Sequence, residues 1–85
     1  MRTFSTVKKG STGTDVIVLQ SMLRALQYVG ADGKPIDIDG QCGNNTVYAI
    51  NEFQNRQRAY GVECGNKGKN TSTFNSLCWS RLLGV

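Results

Sequence analysis

Histidine is absent from this sequence, and that absence removes a large part of enzyme chemistry. No Ser-His or Cys-His pair can be assembled, so the usual general base for a hydroxyl or thiol nucleophile is missing. Zinc loses its commonest nitrogen ligand. The three cysteines, Cys42, Cys64 and Cys78, contain no C-x-x-C pair, so no metal and no other cofactor is called for. Acidic residues number only six. A glycosidase needs two carboxylates facing each other across a bond. Asp15 and Asp39 have structural work at a helix start and in a turn, while Asp37, Glu52 and Glu63 are scattered. The sequence reads as a non-enzyme.

Other absences narrow the partners. No apolar run approaches the ~20 residues that span a bilayer, so no membrane partner is expected. Met1–Val7 lacks the apolar core of a secretory signal, so export is expected to come from a fused partner, a removed segment or a lysis route. Ten Lys and Arg against six acids leave a net charge of +4. The cations are dispersed, which suits weak attraction to a polyanion and little more. The candidate reading helix has no dense basic face, and the glycine loops exceed the tight turn of a helix-turn-helix. No specific nucleic-acid partner is expected. The cysteines are odd in number. A disulfide between two of them needs an oxidising space; otherwise they read as buried reduced thiols serving as small apolar residues.

What is present is a loop–helix pattern met three times in 85 residues. That length holds one small core, so residues 1–85 are read as one domain. After a short extended lead-in over 2–7 and a Gly/Ser/Thr loop, Thr14 is a candidate N-cap for a helix over 15–28. Asp15 in its first turn complements the helix dipole, Val16, Leu19, Leu23 and Leu26 form its apolar stripe, and Gly30 is placed to end it. A polar connection follows over 31–38. The centre of the chain is the turn Asp39-Gly40-x-x-Gly43, whose glycines suit positive φ or close backbone approach. It feeds at Asn44-Asn45-Thr46 into a second helix, with Val47, Ile50 and Phe53 inward and an end near Arg58. A third helix is expected over 72–83, burying Phe74, Leu77, Cys78 and Leu82, with Gly84 just beyond. The second and third units form an imperfect repeat with two registers open. Gly65-x-x-Gly68-x-x-Thr71 mirrors Gly40-x-x-Gly43-x-x-Thr46, whereas the apolar pattern sets Thr73 and Leu77 opposite Thr46 and Ile50.

These residues resemble a known family, the three-helix peptidoglycan-binding domain appended to bacterial and phage cell-wall hydrolases. Val7-Lys8-Lys9-Gly10-Ser11-x-Gly13-x-Asp15-Val16-x-x-Leu19-Gln20-x-x-Leu23-x-x-Leu26-x-Tyr28 is similar to its opening motif. Ile38-Asp39-Gly40-x-x-Gly43-x-x-Thr46-x-x-Ala49-Ile50-x-x-Phe53-Gln54 is similar to its middle motif, and Thr73-Phe74-x-x-Leu77 to its close. The sequence departs from the pattern in a longer connection over 29–35, in Asn44 and Cys42, and in a degenerate second turn, Glu63-Cys64-Gly65-Asn66-Lys67-Gly68. The resemblance implies an all-α, small three-helix orthogonal bundle with long Gly/Asn-rich loops. It also implies a non-catalytic, monomeric module acting at the bacterial cell wall. Its partner would be the glycan or stem peptide of peptidoglycan, and its role to hold a fused or associated lytic or structural protein there. The alternative is a protein–protein docking or assembly module of the same fold without glycan binding.

Such ligands present hydroxyls, amides and carboxylates. The loop before the second helix offers Gln41, Asn44 and Asn45; the helix adds Tyr48, Asn51 and Gln54; Tyr60 or Trp79 would stack on a sugar. Asp39, Gly40, Gly43 and Thr46 are assigned to the turn and cap. Several candidates also have a purely structural reading: Asn44 or Asn45 as a cap, Gln54 as a tie between a loop backbone and its helix, Trp79 as a cover on the core.

Overall fold

The computed structural model describes residues 4–64 and 71–83. Among the described residues three helices follow one another: α1 (Thr14–Ala25), α2 (Asn44–Ala59) and α3 (Ser76–Leu83). Among the described residues there is no strand, only three isolated antiparallel bridges, Val7 with Phe74, Thr12 with Gln41 and Val29 with Pro35. The protein is an all-α helical bundle, as its pattern predicts.

Each helix buries one stripe, and the loops fill what the stripes leave. Val16, Leu19 and Leu23 come from α1, Ala49, Ile50 and Phe53 from α2, and Cys78 and Trp79 from α3. Val7, Tyr28, Ile36, Cys42, Cys64 and Phe74 enter the same core from the connections. A file of rings crosses it. Tyr28 meets Phe53 at 6.0 Å, Phe53 meets Phe74 at 5.3 Å, and Phe74 points edge-on into Trp79 at 5.0 Å. Phe4 then stacks on Trp79 at 4.4 Å. Such tilted and stacked pairs satisfy the ring quadrupoles as well as burying area.

The helix ends differ from expectation in instructive ways. α1 stops at Ala25, not Tyr28. Gln27 takes φ 67°, and the Tyr28 amide bonds back to the Leu23 carbonyl at 3.0 Å. This is a Schellman closure with glutamine in the left-handed position. Leu26 is therefore half exposed rather than part of the stripe, and Gly30 instead opens a turn in which its amide meets the Lys34 carbonyl. α2 closes the same way at Gly61, φ 83°, with Val62 bonded back to Gln57.

The starts differ too. The residues before α1 and α2 are Gly13 and Gly43, and neither helix has a side-chain cap bond. Thr14 and the Asn44-Asn45-Thr46 run lie inside the first turns. α3 begins at Ser76, four residues later than the pattern suggests. Phe74 is held out of the helix by paired backbone bonds with Val7, at 2.7 and 3.0 Å. Asn75 supplies the cap there, its Oδ1 accepting the Cys78 amide at 3.0 Å. The phase that results exposes Leu77 by 57% instead of burying it, while Leu82 packs against the core. The start of the lead-in at Arg2, the Gly65-x-x-Gly68 pair and Gly84 lie outside the described residues.

Candidate functional site

Gln20 is a polar residue in the middle of α1 with 1% of its surface exposed. A buried amide must find partners on both its nitrogen and its oxygen. Gln20 finds them in the loop ahead of α2 and in that helix's first turn. Its Nε2 donates towards Asp39 Oδ1 at 3.0 Å, the Gln41 carbonyl at 2.9 Å and Thr46 Oγ1 at 3.1 Å. Its Oε1 accepts the amides of Asp39 at 3.1 Å and Gly40 at 2.9 Å. Gly40 turns the chain there with φ 76°, and a Cβ on it would stand 3.2 Å from Ile17 Cγ1. The positive φ calls for glycine, and the close approach of α1 leaves little room for a Cβ.

The far side of the loop is zipped to the segment before α1. Gly13 donates to the Gly40 carbonyl at 3.1 Å, Cys42 to Ser11 at 2.9 Å, and Gly10 to Cys42 at 2.8 Å. Asp39 Oδ1 also accepts the Gln41 amide at 3.0 Å. That backbone bond, followed by the one from Gln20, holds the exposed Asp39 carboxyl below the usual carboxylate range.

Fixed in this way, the loop and the first turn of α2 enclose a groove of about 340 Å³, lined by Gln20, Asp37, Asp39, Gln41, Gly43, Asn44, Asn45 and Thr46. Gln41 and Asn44 are exposed on it. Asn45 is anchored, its Oδ1 accepting the Ala31 amide at 3.0 Å and its Nδ2 reaching Asp32 at 3.4 Å. The α2 terminus has no side-chain cap, so first-turn amides add donors to the carboxylates and carboxamides. This is a surface for matching hydroxyls, amides and charged ends by hydrogen bonds. A larger groove, about 530 Å³, lies between the chain around Ser5 and the start of α1, with Thr12, Thr14 and Asp15 among its polar walls. None of the predicted site residues lines it.

The sequence-predicted residues thus divide. Gln41, Asn44 and Asn45 come together, beside the turn and cap residues Asp39, Gly43 and Thr46, with Gly40 buried beneath. Tyr48 is 43% exposed on the next turn of α2. Asn51 is occupied by the loop ahead of α3, accepting the Ser72 amide at 3.1 Å and donating to its hydroxyl at 3.2 Å. Gln54 is 1% exposed. Its Oε1 accepts the Thr71 amide at 2.9 Å, and its Nε2 reaches Thr71 Oγ1, the Thr73 carbonyl and Cys78 Sγ. Trp79 is 4% exposed, with Nε1 donating to the Ser5 carbonyl at 3.0 Å and one face under Phe4. As placed, Gln54 and Trp79 present no free surface to a sugar. Tyr60 is well exposed, but past the far end of the 16-residue α2, roughly 24 Å from its start. Gln20 and Asp37 are groove residues that the sequence reading passed over. The one signal for Gln20 is that it follows Leu19 as Gln54 follows Phe53.

That parallel fixes the register of the repeat. Gln20 binds Asp39, Gln41 and Thr46; Gln54 binds Thr71, Thr73 and Cys78. Each pair of partners is thirty-two residues apart, as are Gly43 and Asn75 ahead of their helices. Neither register suggested by the sequence is the one the hydrogen bonds keep.

A family model described as "Putative peptidoglycan binding domain" matches residues 12–59. The chain belongs to the peptidoglycan-binding domain family. The matched span takes in α1, the loop held by Gln20, the groove and α2. A crystal structure of the SleB N-terminal domain has the same fold. It is 24% identical, superposes with a TM-score of 0.66, and the match covers 95% of this chain and 94% of that one. The likeness therefore runs beyond the matched span and through α3. No curated protein matches the chain.

Proposed function

We propose that this peptidoglycan-binding-family domain is a non-catalytic module that binds peptidoglycan and holds a fused or associated lytic or structural protein at the bacterial cell wall. The reading draws on membership of the family, and one observation carries it: the carboxamide- and carboxylate-lined groove at the start of α2, fixed from beneath by Gln20. Gln41 and Asn44 contact the ligand, Asn45 shapes the wall, and Tyr48, one turn on from Asn44 and on the same face, extends it with an aromatic ring. Asn51, Gln54 and Trp79 act by holding the fold. The domain works as a monomer and needs no cofactor. Its effect is mass action, since weak wall contacts raise the tethered partner's local concentration.

Co-sedimentation with purified, protein-free sacculi at low and moderate salt tests this. Pelleting that survives salt and is weakened by Asn44→Ala or Gln41→Ala, with unchanged circular dichroism, supports the groove. Absence of pelleting with walls from several sources would overturn wall binding and favour the docking alternative.

A further inference from the structure

Wall binding makes no use of the cysteines, and two of them are neighbours. Cys64, in the connection after α2, and Cys78, in the first turn of α3, are 1% and 0% exposed. Cys78 Sγ lies 3.1 Å from the Cys64 carbonyl oxygen. Burial, and after it the neighbouring Cys78 thiol, push the Cys64 thiol up to about 12. Both are reduced here, as is Cys42. Cys42 stands apart: burial alone raises its thiol, its backbone is tied to Gly10 and Ser11, and in the repeat it occupies the place of Phe74. Of the three pairings that three cysteines allow, the fold brings one together.

We propose that Cys64 and Cys78 form a dithiol that closes to a disulfide when the protein meets an oxidising environment, cross-linking the start of α3 to the connection after α2. The oxidant is a low-molecular-weight disulfide. Its S–S bond breaks and leaves as two thiols; the Cys64–Cys78 Sγ–Sγ bond forms as the protein gives up two electrons and two protons. Exchange requires a thiolate, and burial keeps both sulfurs out of reach and the Cys64 thiol protonated. Closure therefore occurs while the chain folds, or through opening of α3, and is slow in the folded reduced protein. Once made, the bond bridges residues 64 and 78 and restricts the unfolded chain. The proposal stands on this sulfur pair and is independent of wall binding.

The test refolds the full chain from denaturant in a buffer of oxidised and reduced glutathione, blocks remaining thiols with an alkylating agent, and maps peptides by mass spectrometry. We expect a mass loss of about 2 Da, one cross-linked peptide pair containing Cys64 and Cys78, and alkylation at Cys42 alone. The melting temperature should rise by about 10 °C over the reduced protein and fall back on reduction. Cys42→Ala should keep both the cross-link and the shift, whereas Cys64→Ser and Cys78→Ser should abolish them. Full alkylation of all three thiols, a stable glutathione adduct at Cys64 or Cys78, or a cross-link through Cys42 would each overturn the proposal.

Discussion

The Gln20 side-chain oxygen lies 2.9 Å from the Gly40 amide nitrogen inside the protein, across twenty residues of sequence. That contact makes α1 the template on which the groove loop is formed. Replacing Gln20 by Ala removes every partner the loop finds there. It leaves the Asp39 and Gly40 amides and the Thr46 hydroxyl without their bonds in a largely dry space. We expect a loss of about 3 kcal/mol in urea unfolding, and loss of sacculus pelleting even where the variant remains folded. Gln54→Ala should cost a similar amount through the loop ahead of α3, yet keep pelleting at temperatures where it is folded, since it does not touch the groove. Equal loss of pelleting in both variants at full folding would sink the separation of the two loops.

Gly30 provides a second lever from outside the groove. A Cβ added there would fall 2.5 Å from Asn45 Cβ, too close for either atom and not relieved by a flexible tip. Gly30→Ala should displace Asn45, break its bond to Ala31 and cost ~2 kcal/mol. Because Asn45 is a wall of the groove, pelleting should weaken as well. Gly33→Ala is the control. Its φ of 76° strains the turn, but a Cβ meets nothing within 4 Å, so stability should fall about 1 kcal/mol with pelleting retained.

The helices and their inward stripes were legible because Val16, Leu19 and Leu23, then Ile50 and Phe53, recur at helical spacing. The Asp39-Gly40 turn was legible for its own reason, since positive φ is written in glycine. Long-range events were not. α3 starts late because Phe74 pairs with Val7, a partner sixty-seven residues away, and local propensity is blind to it. α1 ends early on Gln27, a residue type that does not advertise a left-handed stop. In the site, Gln41, Asn44 and Asn45 could be picked as polar residues around a turn. Gln20 could not, because its importance lies in what it reaches, not in where it stands. Gln54 and Asn51 carry the converse ambiguity, since exposed glutamine and asparagine look the same in sequence as those buried to bind backbone; of the two readings open for Gln54, the bonds to Thr71 and Thr73 match the tie between loop and helix.

Asp39 gives the site a pH dependence with a definite sign. Its carboxyl is held below the ordinary carboxylate value by the Gln41 amide and the Gln20 side chain. A depressed folded-state value means the carboxylate contributes stability above the unfolded value, about 3.9, and loses it as pH falls through the folded value. Asp39→Asn should thus be less stable than the parent at neutral pH, with the gap closing as both are acidified below about pH 4. Thermal melts of the two proteins from pH 7 to pH 2 measure this. A gap that stays constant over that range would show that the carboxylate charge is not what the loop uses.

Trp79 is the single tryptophan of the chain, and it lies where the N-terminal segment crosses α3. Its indole nitrogen donates to the Ser5 carbonyl and its face carries Phe4, the two rings only 17° from parallel. Phe4→Ala uncovers that face without altering the groove. The folded variant should emit further to the red than the parent, because water reaches the indole, and should lose about 2 kcal/mol of stability from the lost stack and burial. Trp79→Phe should cost a comparable amount by leaving the Ser5 carbonyl without its donor. Both residues lie outside the span 12–59 matched by the family model, so this clasp stabilises the domain by a route separate from the Gln20 network. Sacculus pelleting by folded Phe4→Ala should match the parent. A loss of pelleting there, at full folding, would move the binding surface to the larger groove beside Ser5 and away from α2.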